Sequence, residues 1–409
     1  MSAIHTDSPP TNRGAENGGP VAAVSDEPQS PLTRLTPEQI EQLGRELDAL
    51  HDEVYANLGE RDSRYIRATI KLHRQLVLAA RALLLGSRYR PLWLAGTASL
   101  SVAKVLENME IGHNVMHGQW DWMNDPDINS QNWDWDTASP ADAWRHSHNY
   151  EHHTFTNIRG KDRDLGYEIM RIDPHQRWHP IYLFQPLYNL LLMGFFEWGV
   201  AVHDLNHAAI HSGEKSKAQV LEELKAIGVK ARRQVVKDYI AFPALSALAA
   251  LVSSRGSLES GRRTFKATAA ANFTANIVRN VWAYSIIFCG HFPDQTYTFS
   301  EDEVADETRG GWYVRQLLGA ANIDGGPLFH LLAGNLSFQV EHHLFPDMPS
   351  SRYSEIAPRV RDICRRYGLP YNTGPLHKQL GTVHRTILRL AFPGGKVRPK
   401  PGPYRPDPV

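Results

Sequence analysis

Three short histidine clusters constrain this chain more than any other feature, and they hold eight of its 20 histidines. The first, His113-Asn114-Val115-Met116-His117, is an i,i+4 pair, which on a helix faces one side. In the second, His146-Ser147-His148-Asn149-Tyr150-Glu151-His152-His153, His148 and His152 share a helical face and His153 sits about 100° round from His152. The third, Gln339-Val340-Glu341-His342-His343, repeats the adjacent pair. One i,i+4 pair alone says little, since exposed helices carry such pairs by chance. Three clusters, with His291 lying upstream of the third, supply about eight candidate ligands, a number suited to two ions rather than one. Neutral imidazole suits iron, copper, nickel and zinc alike.

The residues around the histidines narrow the chemistry. Asn114 stands where a zinc protease of the HExxH kind needs its general-base glutamate. A carboxylate-bridged di-iron bundle needs two Glu-x-x-His motifs, and Glu110 with His113 supplies a single one. The two cysteines, Cys289 and Cys364, are too few for a disulfide framework, a zinc ribbon or an iron–sulfur cluster. Lysine plus arginine balances aspartate plus glutamate at 44 each, so no net field points to nucleic acid as a partner. An all-histidine two-metal centre in an apolar helical chain leaves oxygen-dependent attack on an unactivated hydrocarbon as its natural task.

HNVMHG at 113–118, HNYEHHTFTN at 148–157 and FQVEHHLFPDMP at 338–349 together resemble the three histidine boxes of the membrane fatty-acid desaturase family, in order. The resemblance runs from about residue 40 to residue 390. Glutamine at the head of the third box is similar to the branch that contains linoleoyl-CoA-type desaturases. YANLGERDSRYI at 55–66 and CGHFPD at 289–294 resemble actinobacterial acyl-CoA desaturases of the mycobacterial stearoyl-CoA kind. The resemblance implies that His113, His117, His148, His152, His153, His291, His342 and His343 hold two irons and that dioxygen is a co-substrate. Gln339 replaces a family ligand, and His146, Gln339 and Asn280 are expected either to ligate or to hydrogen-bond to ligands. Ligand imidazoles need partners for their other nitrogen; Glu110, Asp121, Asn149, Glu151 and Glu341 are near in sequence. His203, His207 and His211 imitate a box and are expected to be surface or structural residues.

The implied reaction places a cis double bond in a long-chain acyl-CoA. The actinobacterial likeness points to position 9 of a C16–C18 chain, the glutamine box to a Δ6 desaturase acting on a chain already unsaturated. Each cycle consumes two electrons. The chain has no HPGG haem motif, dinucleotide fingerprint or cysteine cluster, so a separate NAD(P)H-dependent reductase is the expected donor. Arg145, Arg159, Lys161 and Arg163 flank the second box and either contact CoA phosphates or the reductase, or are ordinary surface charge. Two rivals remain: a hydroxylase or other oxygenase of the same superfamily, and a metal-storage or scaffold protein without catalysis.

The fold expected is all-α, a polytopic membrane bundle of about four spanning helices with a cytoplasmic helical cap that carries the di-iron site. The lipid bilayer, as plasma membrane, is the expected setting. Apolar stretches lie at 76–85, 91–106, 179–203, 239–254, 267–291 and 316–340, the third being the strongest. Several reach the ~20 residues that a ~30 Å hydrocarbon core requires, yet mean hydropathy over the chain is −0.40. Asn272, Asn276 and Asn280 recur every four residues, so one face of 267–291 is polar and must turn inward if it lies in lipid. The seven lysines and arginines at 204–238 argue for the cytoplasmic side. Stretch 179–203 then cannot cross once and is expected to dip in and return around Pro186. Thr36-Pro37-Glu38-Gln39 has the spacing of a capping box, starting a helix whose apolar face is Ile40, Leu43, Leu47, Leu50 and Val54. Residues 1–35 read as a disordered tail, 36–392 as one desaturase domain and 393–409 as an irregular proline-rich tail.

Overall fold

The capping box forms as its spacing dictates: Thr36 Oγ1 accepts from the Gln39 amide at 3.3 Å, and Gln39 Oε1 accepts from the Thr36 amide at 2.9 Å. The computed structural model describes residues 34–404, so the tail expected at 1–35 lies, but for its last two residues, outside them. Helix Pro37–Ala56 buries Leu43, Leu47, Leu50 and Val54. These side chains pack on helices Arg309–Gly319 and Tyr353–Arg366 with Leu317, Val340, Phe345 and Ile356. The helix therefore lies on protein.

Two helical hairpins form the other half of the molecule. Helix Glu60–Leu84 pairs with Arg90–Leu106, and the continuous helix Lys217–Ser253 pairs with Leu258–His291. The last of these has 34 residues, or about 51 Å at 1.5 Å per residue, and packs on its hairpin partner and on Arg90–Leu106. Its asparagine ladder does face inward, with Asn272, Asn276 and Asn280 all buried. Asn272 donates to the Asp238 carbonyl at 2.5 Å, Asn276 to the Tyr239 hydroxyl at 3.1 Å and Asn280 to the Gly194 carbonyl at 3.0 Å.

By length and composition, one helix among the described residues can cross a membrane, Lys217–Ser253, with 37 residues and a mean hydropathy of 1.6 in its most apolar window. The buried asparagines, Arg279 and several threonines lower the mean of Leu258–His291, although Phe273 and Val278 on its outer side are exposed. The stretch at 179–203, strongest by hydropathy, is not one helix. It forms a short 3₁₀ turn at Pro180–Phe184, a helix at Gln185–Gly194 and another at Phe196–His203. The break falls at Phe195, whose φ of −119° and ψ of 35° are non-helical, and not at Pro186, which sits in the first turn where a proline costs no hydrogen bond.

The helical expectation holds, with one addition: a three-residue parallel pair, Asn322–Asp324 with Thr373–Pro375. From Gly394 to Tyr404 the chain is irregular but tied down, and residues 405–409 of the tail expected there lie outside the described residues. Lys400 Nζ pairs with buried Glu303 at 2.7 Å, and the Tyr404 hydroxyl donates to the Gly311 carbonyl at 3.0 Å.

Glycine sets the closest approach in this half. A Cβ on Gly310 would stand 2.1 Å from the Ile40 carbonyl oxygen, which is backbone and cannot swing aside, and one on Gly44 would stand 3.1 Å from the Gly310 Cα. Gly310→Ala is therefore expected to push helix Pro37–Ala56 off its seat at a cost of about 1–3 kcal/mol, read as a lower unfolding midpoint in detergent. Gly381→Ala, with nothing within 4 Å of its Cβ, should leave the midpoint unchanged or raise it.

Candidate metal centre

Two π-helical segments carry the first two histidine clusters. Glu107–His113 ends helix Arg90–Leu106, and Arg145–His152 follows the short helix Ala141–Trp144. Such widened turns are rare and are frequent at functional sites. The third cluster is on the short helix Gln339–Leu344, and His291 is the last residue of the long Leu258–His291 helix. Asn149 ties the second cluster to the first by donating to the Met116 carbonyl at 2.8 Å.

These segments converge on two adjacent cages. The ring nitrogens of His113, His117, His148 and His342 offer four ligand atoms within 4.8 Å of one another, and those of His152, His291 and His343 offer three. His153 stands between them, its ring centroid 4.7 Å from that of His117 and 4.6 Å from that of His343. The eight histidines are thus brought to one place.

Outward hydrogen bonds fix which nitrogen faces in. His152 Nδ1 bonds Asp162 at 3.0 Å, and His148 Nδ1 faces Asp164 at 3.4 Å. His342 Nδ1 bonds the Tyr353 hydroxyl at 3.2 Å, and His343 Nδ1 bonds Gln316 Oε1 at 3.0 Å. Among the described residues, seven buried nitrogens of these eight histidines have no hydrogen-bond partner: Nε2 of His117, His148, His152 and His343, Nδ1 of His291, and both of His153. Orphaned buried polar atoms are costly, and so many aimed at one volume fit metal ligation. Burial, and then the neighbouring imidazoles, hold His153 and His343 well below the ordinary histidine range, in the neutral form a metal needs. Burial also opposes charge on His152, but Asp162 outweighs it and holds that pKa above the usual value. Asp162 is itself held by the amides of Asn157 at 2.7 Å and Asp164 at 3.0 Å.

The remaining candidates divide. Gln339 lies inside, its Nε2 3.1 Å from His291 Nε2 and its Oε1 buried without a partner. Asn280 lines the adjoining cavity, but its amide is used by Gly194 and the Arg279 guanidinium. His146, two residues before His148, points away: its side chain is 67 % exposed and faces Glu151 at 3.4 Å. The expectation that it ligates, or supports a ligand, is corrected. Glu110 and Glu341 are fully buried but bond Tyr65, Ser350, Asn322 and Tyr371 rather than a ligand imidazole.

His203 takes the structural of its two expected roles. It is buried, and its Nε2 bonds Asp164 Oδ1 at 2.9 Å, so one carboxylate spans His203 and His148. His207 and His211 are exposed. The supporting aspartates, Asp162 and Asp164, went unread in the sequence although they lie ten and sixteen residues past the histidines they hold. The cations flanking the second box are not free for phosphate. Arg145 donates to the Ser130 carbonyl at 2.9 Å, Arg163 to Glu151 at 2.7 Å, and Lys161 and Arg159 face Glu301 and Asp173.

A cavity of about 60 Å³ reaches His113, His148 and His291 between walls of Trp135, Trp144, Tyr167, Phe196 and Ile287. That is room for about two waters at ~30 Å³ each. Polar groups share that lining with the aromatics, among them Thr137, Ser139, Asp164, Glu197, Asp204 and Asn280.

Comparison with known proteins agrees with this geometry. The family model "Fatty acid desaturase" matches residues 91–375. The chain is 46% identical over 367 residues to an NADPH-dependent stearoyl-CoA 9-desaturase of Mycobacterium tuberculosis, covering 90% of this chain and 83% of the relative. It is 27% identical over 297 residues to an sn-1 linoleoyl-lipid 6-desaturase of Synechocystis, covering 70% and 77%, and 25% identical over 285 residues to a Delta(5) fatty acid desaturase A of Dictyostelium discoideum, covering 66% and 57%. No solved structure gives a significant match.

Proposed function

The chain belongs to the fatty acid desaturase family, and on that premise we propose that it is an oxygen-dependent di-iron acyl-CoA desaturase that forms a cis double bond at position 9 of a C16–C18 chain. The observation that carries this reading is the pair of adjacent histidine cages with their unpartnered inward nitrogens. His113, His117, His148 and His342 would hold one iron and His152, His291 and His343 the other, with His153 between them and Gln339 beside His291. Two irons so held, with dioxygen, supply the oxidising power that removes hydrogens from neighbouring methylenes.

The chain's own residues do the rest. Asp162, Asp164, Tyr353 and Gln316 hold the imidazoles in one orientation, which preserves the cages through turnover. Trp135, Trp144, Tyr167 and Phe196 form one apolar wall of the cavity, along which an acyl chain would reach the centre. The small volume of that cavity, about 60 Å³, requires these side chains to part when substrate enters.

The two hairpins serve as a four-helix membrane bundle within a single domain at 36–392. Exposed leucines and aromatics support this: Leu78, Leu94, Leu248, Val252 and Phe273 on the hairpins, and Phe184, Leu187 and Leu191 on the broken 180–203 segment, which lies along the membrane face. The cap then faces the cytoplasm at the plasma membrane, where a separate NAD(P)H-dependent reductase supplies electrons. A Δ6 outcome is the second reading, favoured by Gln339 at the head of the third box.

The test is product mass from purified protein given stearoyl-CoA, reductant and dioxygen. Two irons per chain and a product two mass units lighter are expected, and ozonolysis then reads position 9 or 6. A product sixteen units heavier would make the protein a hydroxylase, and zinc in place of iron would end the di-iron reading.

A further inference from the structure

A second cavity reaches the centre from a different side, and its chemistry is unlike the first. It has a volume of about 240 Å³, lies between the 293–298 loop, the end of helix Leu376–Leu390 and the segment at 396–400, and has His291 and Phe292 in its wall. Arg389, Lys396 and Arg398 line it and are exposed. Arg398 donates to the Thr296 carbonyl at 2.7 Å and lies over the Tyr297 ring at 4.8 Å. Among the described residues none of the three has an acid within ion-pair distance, and Asp173, which acts on Arg398 from farther off, is itself paired with Arg159. The acids of the cavity are already matched: Asp294 by Arg385 and the Thr386 hydroxyl, Asp173 by Arg159 and the Thr298 hydroxyl. Lys400 is matched by Glu303. The mouth therefore carries a surplus of three positive charges beside a member of the second histidine cage.

We propose that this basic mouth is the docking site for an acidic electron-transfer protein, with His291 as the entry point for its electrons, an inference that rests on the desaturase reading above. Three uncompensated cations on an exposed rim suit a transient, charge-steered encounter, in which complementary fields raise the on-rate more than the affinity. The phosphates of CoA are the other anion this rim could hold. They fit poorly, because a ligand wall this close to the surface leaves no length for the pantetheine arm and the nine acyl carbons that separate phosphate from the reacting methylene. The electron count closes with the docked donor. Dioxygen takes four electrons and four protons to become two waters. Two electrons and two protons leave the acyl chain as its two hydrogens; two one-electron oxidations of the carrier and two solvent protons supply the remainder.

The experiment compares the wild type with the triple variant Arg389→Glu, Lys396→Glu, Arg398→Glu, using a reduced acidic [2Fe–2S] ferredoxin as the probe. Stopped-flow reduction of the ferric protein by ferredoxin is expected to slow at least tenfold in the variant. In the wild type the rate should fall steeply as salt rises from about 0.01 to about 0.15 M, where the Debye length shrinks from ~30 to ~8 Å. Iron content, and the product formed in a single turnover after chemical reduction with dithionite, should match the wild type, which shows that the variant is folded. An unchanged reduction rate overturns the docking site. A tenfold rise in the KM for stearoyl-CoA with no change in reduction rate overturns it in favour of CoA phosphates. Wild type that makes no product in the single turnover would instead defeat the desaturase reading itself.

Discussion

His343→Ala is expected to lower bound iron from two per chain to one or none and to cut desaturation by well over 100-fold. His343 is one of three ligand candidates in the smaller cage, and the nearest further histidine, His153, is shared with the larger one. Its ring is fully buried between His153 and His291, with centroids 4.6 and 4.9 Å away, so water enters poorly to take its place. Residues that merely hold a ligand usually cost 10–100-fold in metal affinity or activity. Gln316→Ala, which removes the acceptor 3.0 Å from His343 Nδ1, should fall in that lower range and keep part of its iron. The order of the two variants is the informative point. Equal losses would mean that His343 is structural, and full activity in His343→Ala would sink the two-cage assignment. Iron analysis on the same samples separates lost metal from lost fold.

The cages were legible because each cluster is local: i,i+4 and adjacent histidines keep a shared direction on any helical turn, whatever the rest of the chain does. The π-helical winding of Glu107–His113 and Arg145–His152 was not, since nothing in residue type distinguishes a widened turn from an α-helical one. That His203 stands beside the centre was not legible for a related reason. Its bond to Asp164 crosses 39 residues, and the break at Phe195 is marked in the sequence by Gly194 alone, within an otherwise continuous apolar run. The inward asparagine ladder was legible from its four-residue period. That same ladder hid its helix from a hydropathy test, because polar residues on the inner face count against a mean that ignores direction. His146 shows the limit of cluster reading: membership in a run of histidines says nothing about the side on which a residue two positions away emerges.

Asp238→Ala is expected to destabilise the bundle by about 3–5 kcal/mol, the usual cost of stranding a buried charge, and so to leave little protein recoverable from detergent. The Asp238 carboxylate is fully buried, with Lys104 Nζ at 2.9 Å and Arg81 Nη2 at 3.1 Å. Those cations sit on the two helices of the first hairpin, while Asp238 belongs to the second, so one carboxylate fastens hairpin to hairpin. The Arg81 guanidinium is further fixed by Asn272 Oδ1 at 2.6 Å and lies 3.7 Å over the Phe242 ring. Removing the carboxylate takes from Arg81 its one acidic partner within ion-pair distance among the described residues and leaves Lys104 with Asp136 alone, at 3.4 Å. The triple variant Asp238→Ala, Arg81→Leu, Lys104→Leu separates the causes. Replacing a whole buried ion group by apolar residues is often neutral, so the triple should recover much of the yield and unfolding midpoint that the single variant loses. If the triple is no better than the single, the hairpins are held by the shape of the carboxylate's hydrogen bonds rather than by its charge. If Asp238→Ala matches the wild type, the clasp does not hold the bundle together. The joint matters for catalysis because His113 and His291 come from opposite hairpins, so whatever sets the hairpins' spacing also sets the spacing of the two cages.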